Sequence, residues 1–282
     1  MTVLHNYQKQ FSLYLLEWMR NHPDRLEEEE DAAEELAPEL YLEWLNTPAA
    51  WLNGQVPGRF FEGYSAQKAL DALSGYIQNN IPVPDPLLDQ ILFLDCEPQI
   101  AQLAFDENNT LALRTQAMRL LAESEAELPP QPLLAIVCAA KAETDLTIAA
   151  MQLLEGMPQE IAPQLKACSL HTLSVYAKEA VAALLALHKN DDEIFEILQT
   201  LYLNEENICY YAQLLGSYGR ERAIDVLEKR VWDLDLVYAD YIAIVNAIEA
   251  LGGIAPHREY SFTEAADYIW AVENAESESE ND

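Results

Sequence analysis

Three stretches of the chain repeat one another: AMRLLAE at residues 117–123, AMQLLEG at 150–156 and YAQLLGS at 211–217. Each carries a Leu-Leu pair, Leu120-Leu121, Leu153-Leu154 and Leu214-Leu215. The pair returns at Leu184-Leu185 and, in weaker form, at Ala250-Leu251. Steps between first members are 33, 31, 30 and 36 residues. A period near thirty with room for two helices is the mark of a short-repeat helical array. Outward from these stretches, from residue 65 on, apolar helical runs alternate with short breaks that hold Pro82 and Pro84, Pro98, Pro129-Pro130, Pro158, Asn190-Asp191, Gly219 or Gly252-Gly253. Proline and glycine at such places end helices. No window alternates apolar and polar residues as a half-buried strand would.

This punctuation predicts helix pairs near 65–80/85–95, 110–125/130–142, 145–156/159–168, 172–188/191–203, 206–218/220–233 and 236–251/262–273, with an extra irregular helix at 98–106. Small alanines at one recurring place let two helices approach closely, and paired leucines fill the space to the next pair. Ala117, Ala150 and Ala212 are therefore expected to be buried, with Leu120, Leu153 and Leu214 beside them.

Two stretches also resemble the HEAT family, in particular its short, phycobilisome lyase type. LAFDENNTLALRTQAMRLLAE (103–123) is similar to the Asp–loop–Val-Arg–Ala–Leu pattern of that repeat through Asp106, Leu113, Arg114 and Ala117. LLGSYGRERAIDVLEKRV (214–231) is similar to its Leu-Gly turn and following Ala-Ile-x-x-Leu through Gly216, Ala223, Ile224 and Leu227. At the last repeat Tyr238 stands where the family has arginine. The resemblance spans roughly residues 65–272. It implies an all-α fold, an α-α superhelix of right-handed HEAT-like solenoid form, with an N-terminal helical capping segment. The domain division that follows is 1–64 for the N-terminal helix, acidic linker and aromatic cap, 65–273 for the repeats, and 274–282 for an acidic tail.

Residues 3–20 read as one amphipathic helix through Val3, Tyr7, Phe11, Tyr14, Leu15 and Trp18, stopped by Pro23. The acidic block after it is expected to be mobile, or exposed helix at most, as are residues 275–282. Residues 38–64 then combine Tyr41, Trp44, Trp51, Phe60, Phe61 and Tyr64 with Pro48, Gly54, Pro57, Gly58 and Gly63. Such a segment is turns pinned to an apolar surface, either a cap over the first repeat helix or a peptide-binding patch.

The chain carries 16 Lys plus Arg against 48 Asp plus Glu, a formal charge of −32. Residues 24–39 and 273–282 hold much of that excess, but the body between them is acidic as well. Such a surface repels phosphate backbones and anionic lipids, because binding them needs cations that displace counterions. The expected partner is a protein with a basic surface, with no nucleic acid and no membrane. Solubility alone is the bland alternative reading of the charge. Cys96, Cys138, Cys168 and Cys209 form no CxxC and read as free, buried thiols of a reducing compartment. The N-terminus lacks the charged region and cleavage site of a signal peptide. Together these predict a cytoplasmic protein.

No catalytic motif emerges. His5, His22, His171, His188 and His257 lie at no ligand-like spacing from one another, and no His-Glu dipeptide occurs. The di-iron centre of the deoxyhypusine hydroxylases, a HEAT-repeat enzyme class, is therefore not expected, and neither is a tetrahedral zinc site. There is no nucleophile elbow, phosphate-binding loop or dinucleotide fingerprint. The alkylpurine DNA glycosylases, which share helical repeats of this kind, need a basic concave face. Here Arg220, Arg222, Lys229 and Arg230 are interleaved with Glu221, Asp225 and Glu228. No cofactor and no metal are predicted.

The expectation is thus a non-catalytic protein-interaction scaffold. Its inner surface would be lined by the second helix of each pair. On 191–203 the apolar stripe Ile194, Ile197, Leu198 and Leu201 leaves Asp192, Glu196 and Gln199 outside. On 220–232 the stripe Ala223, Ile224, Leu227 and Val231 leaves Arg222, Asp225 and Lys229. These six are the candidate partner contacts. The alternatives are a lyase or chaperone-like enzyme acting on a bound chromophore or modified protein, as the resemblance implies, and a DNA mimic that exploits the acidity.

Overall fold

The computed structural model describes residues 3–23, 32–124 and 126–261. Among them the chain is all-helical, with fourteen α-helices, short 3-10 turns and no strand beyond a single bridge between Ala49 and Gln55. It divides into two compact units, Met1–Leu128 and Pro129–Asp282. The acidic residues 24–31, the expected last helix 262–273 and the tail 274–282 lie outside the described residues.

In the first unit α1 (Tyr7–Asn21) starts where the Asn6 side chain accepts the Lys9 amide. It packs on α2 (Ala32–Leu45). Turns were expected throughout 38–64, yet α2 runs through Pro38 to Leu45. A proline inside a helix costs a backbone hydrogen bond. Leu40 and Trp44, one turn apart and both buried, hold the helix in spite of it. The turns proper occupy residues 46–64, where Asn53, Gly54 and Gly63 adopt positive φ. The six aromatics of the segment form a core rather than an open patch. Trp44 and Phe61 are buried and the other four half-buried. Tyr7 is their hub. It meets Trp51 edge-on at 5.2 Å and stacks on Phe61 at 5.8 Å, and its hydroxyl donates to the Pro57 carbonyl. The chain before α1 is tied to α3 (Ala66–Gln78), because Tyr76 Oη accepts the His5 amide and donates to the His5 carbonyl. The remaining helices are α4 (Asp85–Phe93), α5 (Glu97–Phe105) and α6 (Leu111–Glu123), with α6 against α3, α4 and α5. Residues 97–105 are a regular helix, not an irregular one.

The second unit holds α7 (Pro130–Ala139), α8 (Asp145–Glu155), α9 (Pro158–Lys166), α10 (Val175–Ala186), α11 (Asp192–Asn204), α12 (Ile208–Tyr218), α13 (Ile224–Leu227) and α14 (Tyr238–Ala250). Helices α8, α10, α12 and α14 touch in succession, and α9, α11 and α13 pack in turn against them. Local chemistry sets the boundaries. Thr144, Ser174, Asp191 and Asn207 cap α8, α10, α11 and α12 by accepting an amide three residues on. Proline opens α7 and α9. The expected continuous helix at 220–233 is instead a 3-10 turn, the single turn α13, and another 3-10 turn ending at Arg230.

Ala117, Ala150 and Ala212 are fully buried, and so is Leu120. Leu153 and Leu214 are only half-buried, however, and it is Leu154 and Leu215 that are sealed. One residue is a rotation of about 100° around a helix of 3.6 residues per turn. The neighbouring helix, not the repeat pattern, decides which leucine of the pair faces inward. Gly216 lies so close to α14 that a Cβ there would stand 2.9 Å from Ala247 Cα.

Side-chain bonds in this unit repeatedly join residues one period apart. Thr147 meets Tyr176 at 3.3 Å, Lys178 pairs with Glu205 at 2.7 Å, and the Tyr210 hydroxyl donates to the Glu179 carbonyl. The Tyr218 hydroxyl donates to the carbonyls of His188 and Asp191. Only Cys96 among the four free thiols is buried, whereas Cys138, Cys168 and Cys209 are half-buried.

Candidate partner-binding cleft

An open cleft of about 480 Å³ lies between α11 and the segment that leaves α9. Its position follows from the start of α11. Asp191 caps that helix, its Oδ1 accepting the Ile194 amide at 3.1 Å. Its Oδ2 takes Lys166 Nζ at 3.1 Å, and Lys166 also pairs with Glu193 at 2.8 Å. The Ile194 amide first and Lys166 second hold the Asp191 carboxyl below its ordinary range. The bonds to Glu193 and Asp191 raise Lys166 in turn. This ion-paired group clamps the end of α9 to the first turn of α11, and the 3-10 turn Leu170–Thr172 then forms the opposite wall.

The floor is apolar. Ile194, Phe195, Leu198, Leu201 and Tyr202 turn the main stripe of α11 into the core. Ile197 stays half-buried and, with Leu201 and Leu170, lines the cleft. The rim is polar and mostly acidic, with Glu193, Glu196 and Glu205 on one side and His171 on the other. Two of those carboxylates are already engaged, Glu193 by Lys166 and Glu205 by Lys178. Glu196 has no cationic partner among the described residues.

The six residues singled out from the sequence do not share this cleft. Glu196 lines it; Gln199 is half-buried on the same helix outside it. Asp192 faces the other way and holds Arg220 at 3.1 Å and Arg222 at 2.8 Å. The Arg222 guanidinium also lies over the Phe195 ring at 4.1 Å. Asp225 and Lys229 are exposed on and just after α13. Sequence reasoning missed Glu193, Thr200, Asn204 and the 170–171 wall. Glu193, Glu196, Thr200 and Asn204 follow one another at three- and four-residue steps along the edge of the apolar stripe, and that spacing was the available signal.

A second hollow of about 500 Å³ lies in the first unit, lined by Gly58, Glu62, Gly63, Pro86, Asp89 and Phe93. Phe93 is 79% exposed there, so the hollow has one loose apolar wall. Burial first, and the neighbouring Asp85 second, push the Asp89 carboxyl up. Among the described residues, no group of three or more His, Cys, Asp or Glu is placed to hold a metal ion. No described helix is long and apolar enough to cross a membrane. Compared with known protein families, curated proteins and solved structures, the chain matches none of them.

Proposed function

We propose that this chain is a non-catalytic scaffold of HEAT-like helical repeats that holds a basic segment of another protein in the cleft beside α11. The observation that carries the reading is the make-up of that cleft. An apolar floor is rimmed by carboxylates, and the nearby lysines Lys166 and Lys178 are consumed in ion pairs while Glu196 is left over. A cationic side chain flanked by apolar ones satisfies both features, and an anionic one is repelled. The one-period spacing of the side-chain bonds in the second unit supports the repeat architecture. The formal charge of −32 supports a basic partner over nucleic acid. An open groove also suits a peptide chain better than a small substrate, which needs an enclosing pocket.

The test is capture of partners from the native lysate, followed by titration of each purified partner against charge-reversed variants at two salt concentrations. Glu196→Lys is expected to weaken binding at least tenfold and Glu179→Lys, away from the cleft, to do much less. Added salt should weaken the parent and leave the Glu196 variant nearly unchanged. Binding indifferent to salt and to Glu196 would assign the acidity to solubility and overturn the reading.

A further inference from the structure

The cleft has a thiol pair at the root of one of its walls. Cys138 lies in α7 and Cys168 just beyond the end of α9, thirty residues later, and their sulfurs are 4.0 Å apart. Cys138 is held in place by its helix, whose inward residues Leu133 and Val137 are fully buried. Cys168 is anchored more lightly. It follows the α9 C-cap, Ala167, and its thiol donates to the Gln164 carbonyl at 3.4 Å. Two and three residues further on are Leu170 and His171, the wall of the cleft opposite α11. We propose that Cys138 and Cys168 are a redox modification site, and that a peroxide closes them into a disulfide which repositions this wall and so regulates the cleft.

The chemistry balances with hydrogen peroxide as oxidant. The Cys168 thiolate attacks one peroxide oxygen, giving a sulfenic acid as the O–O bond breaks and water leaves. The Cys138 sulfur then attacks the Cys168 sulfur, forming the S–S bond as the sulfenic oxygen departs as a second water. Two thiols are oxidised and one peroxide is reduced to two waters. The order of attack follows from the surroundings. Burial first, and the neighbouring Cys168 second, push the Cys138 thiol up, and Cys168, beyond the end of its helix, is taken as the first nucleophile. Closure brings the sulfurs from 4.0 Å to the disulfide length of about 2.05 Å. With Cys138 fixed in α7, the displacement falls on residues 167–171. The regulatory half of the proposal rests on the cleft reading; the modification site does not.

The experiment treats the full chain with hydrogen peroxide and maps the product by mass spectrometry of a non-reduced tryptic digest. The expected product joins residues 120–141 to residues 167–178, in preference to the other pairings of four cysteines. In Cys138→Ser the Cys168 sulfenic acid should instead be trapped by dimedone, and in Cys168→Ser no link should form. Hydrogen exchange across 169–173 and 196–204 should differ between oxidised and reduced parent chain, and not between treated and untreated Cys168→Ser. Glu196→Lys should form the link normally, which separates failure of the cleft reading from failure of this one. Random pairings, intermolecular links, or a link that needs denaturant would overturn the site. A clean link with unchanged exchange around the cleft would overturn its coupling to binding.

Discussion

Replacing Gly216 with alanine tests how closely α12 and α14 approach. The added Cβ would stand 2.9 Å from Ala247 Cα and 3.0 Å from Ala247 Cβ. Carbon atoms in favourable contact lie about 3.5–4.0 Å apart, so α14 must withdraw by roughly 0.5–1 Å. The nearest obstacle is backbone, which cannot rotate away as the tip of a side chain can. Withdrawal by that amount forfeits about a quarter to a half of the dispersion well along the seam. Overpacking of this kind costs about 1–3 kcal/mol. Against that, alanine inside a helix gains about 0.5–1 kcal/mol over glycine. The expected net loss lies between about 0 and 2.5 kcal/mol and centres near 1 kcal/mol. Gly156→Ala is the control, because its Cβ would meet only the Leu153 carbonyl at 3.4 Å and its φ is −72°. That change should be neutral or stabilise by up to about 1 kcal/mol through the unfolded chain. Urea unfolding followed by circular dichroism reads both. The midpoint should fall for Gly216→Ala and hold or rise for Gly156→Ala, with the slope unchanged. Equal stability of the two variants would refute the close approach of the helices.

Three further outcomes are expected. Leu154→Ala should destabilise by about 2–5 kcal/mol, the range for a sealed leucine, and Leu153→Ala by clearly less; urea midpoints in the opposite order would put the register of α8 in error. Arg230→Met should cost about 2–3 kcal/mol, since its guanidinium donates to the carbonyls of Tyr202 and Glu205 and pairs with Asp233, and a melting temperature unchanged from the parent would contradict those bonds. Stability should fall in alkali: burial first and Asp240 second push the Cys209 thiol up to about 12, and burial raises the Tyr76 and Tyr210 hydroxyls to about 12, so the folded chain keeps protons that the unfolded chain releases. That contribution is fully present below pH 9, the ordinary thiol value, and is lost as pH rises toward 12, so urea midpoints flat from pH 8 to 11 would count against it.

The helix boundaries of the second unit were legible because the signals that set them are local. Asp191 caps α11 within the expected Asn190-Asp191 break, and α12 ends at Gly219, whose φ is +81°. What was not legible depends on partners distant in sequence. The choice between Leu153 and Leu154 is made by the helix that α8 packs on, and the repeat pattern is the same for either. The breakdown of 221–230 into 3-10 and α turns had no signal in its apolar spacing, since Ala223, Leu227 and Val231 are buried as the stripe predicted. Glu196 could be placed on an outer face of α11 from spacing alone. The cleft around it could not, because its other wall comes from an irregular connection some twenty-five residues earlier. The thiol pair is of the same kind: Cys138 and Cys168 stand thirty residues apart, about one period, but spacing alone does not bring two sulfurs into contact.

The acidity of the chain acquires a structural meaning when the few cations are followed individually. Lys166 and Lys178 reach acids one period further along, and Arg220 and Arg222 reach one that lies a period earlier. Arg230 does the same with the carbonyls of Tyr202 and Glu205, and Arg258 with those of Val231 and Asp233. Cations used in this way join neighbouring helix pairs, with the Lys178 and Arg230 side chains mostly withdrawn from solvent and Arg222 still half-exposed. Each of these ion pairs engages an acid as well as a base, so the net charge is unchanged, and what the pairs single out is each place where a paired base lies near an unpaired acid. Glu196 is such a place, with Lys166 turned toward Asp191 and Glu193 on the same helix. An arriving lysine or arginine would meet a carboxylate with no internal competitor, over a floor of Ile197 and Leu201. Exposed ion pairs contribute little to folding, about 0–1 kcal/mol each. Their larger effect here is on the cleft, because Lys166, held by Asp191 and Glu193, is withheld from Glu196.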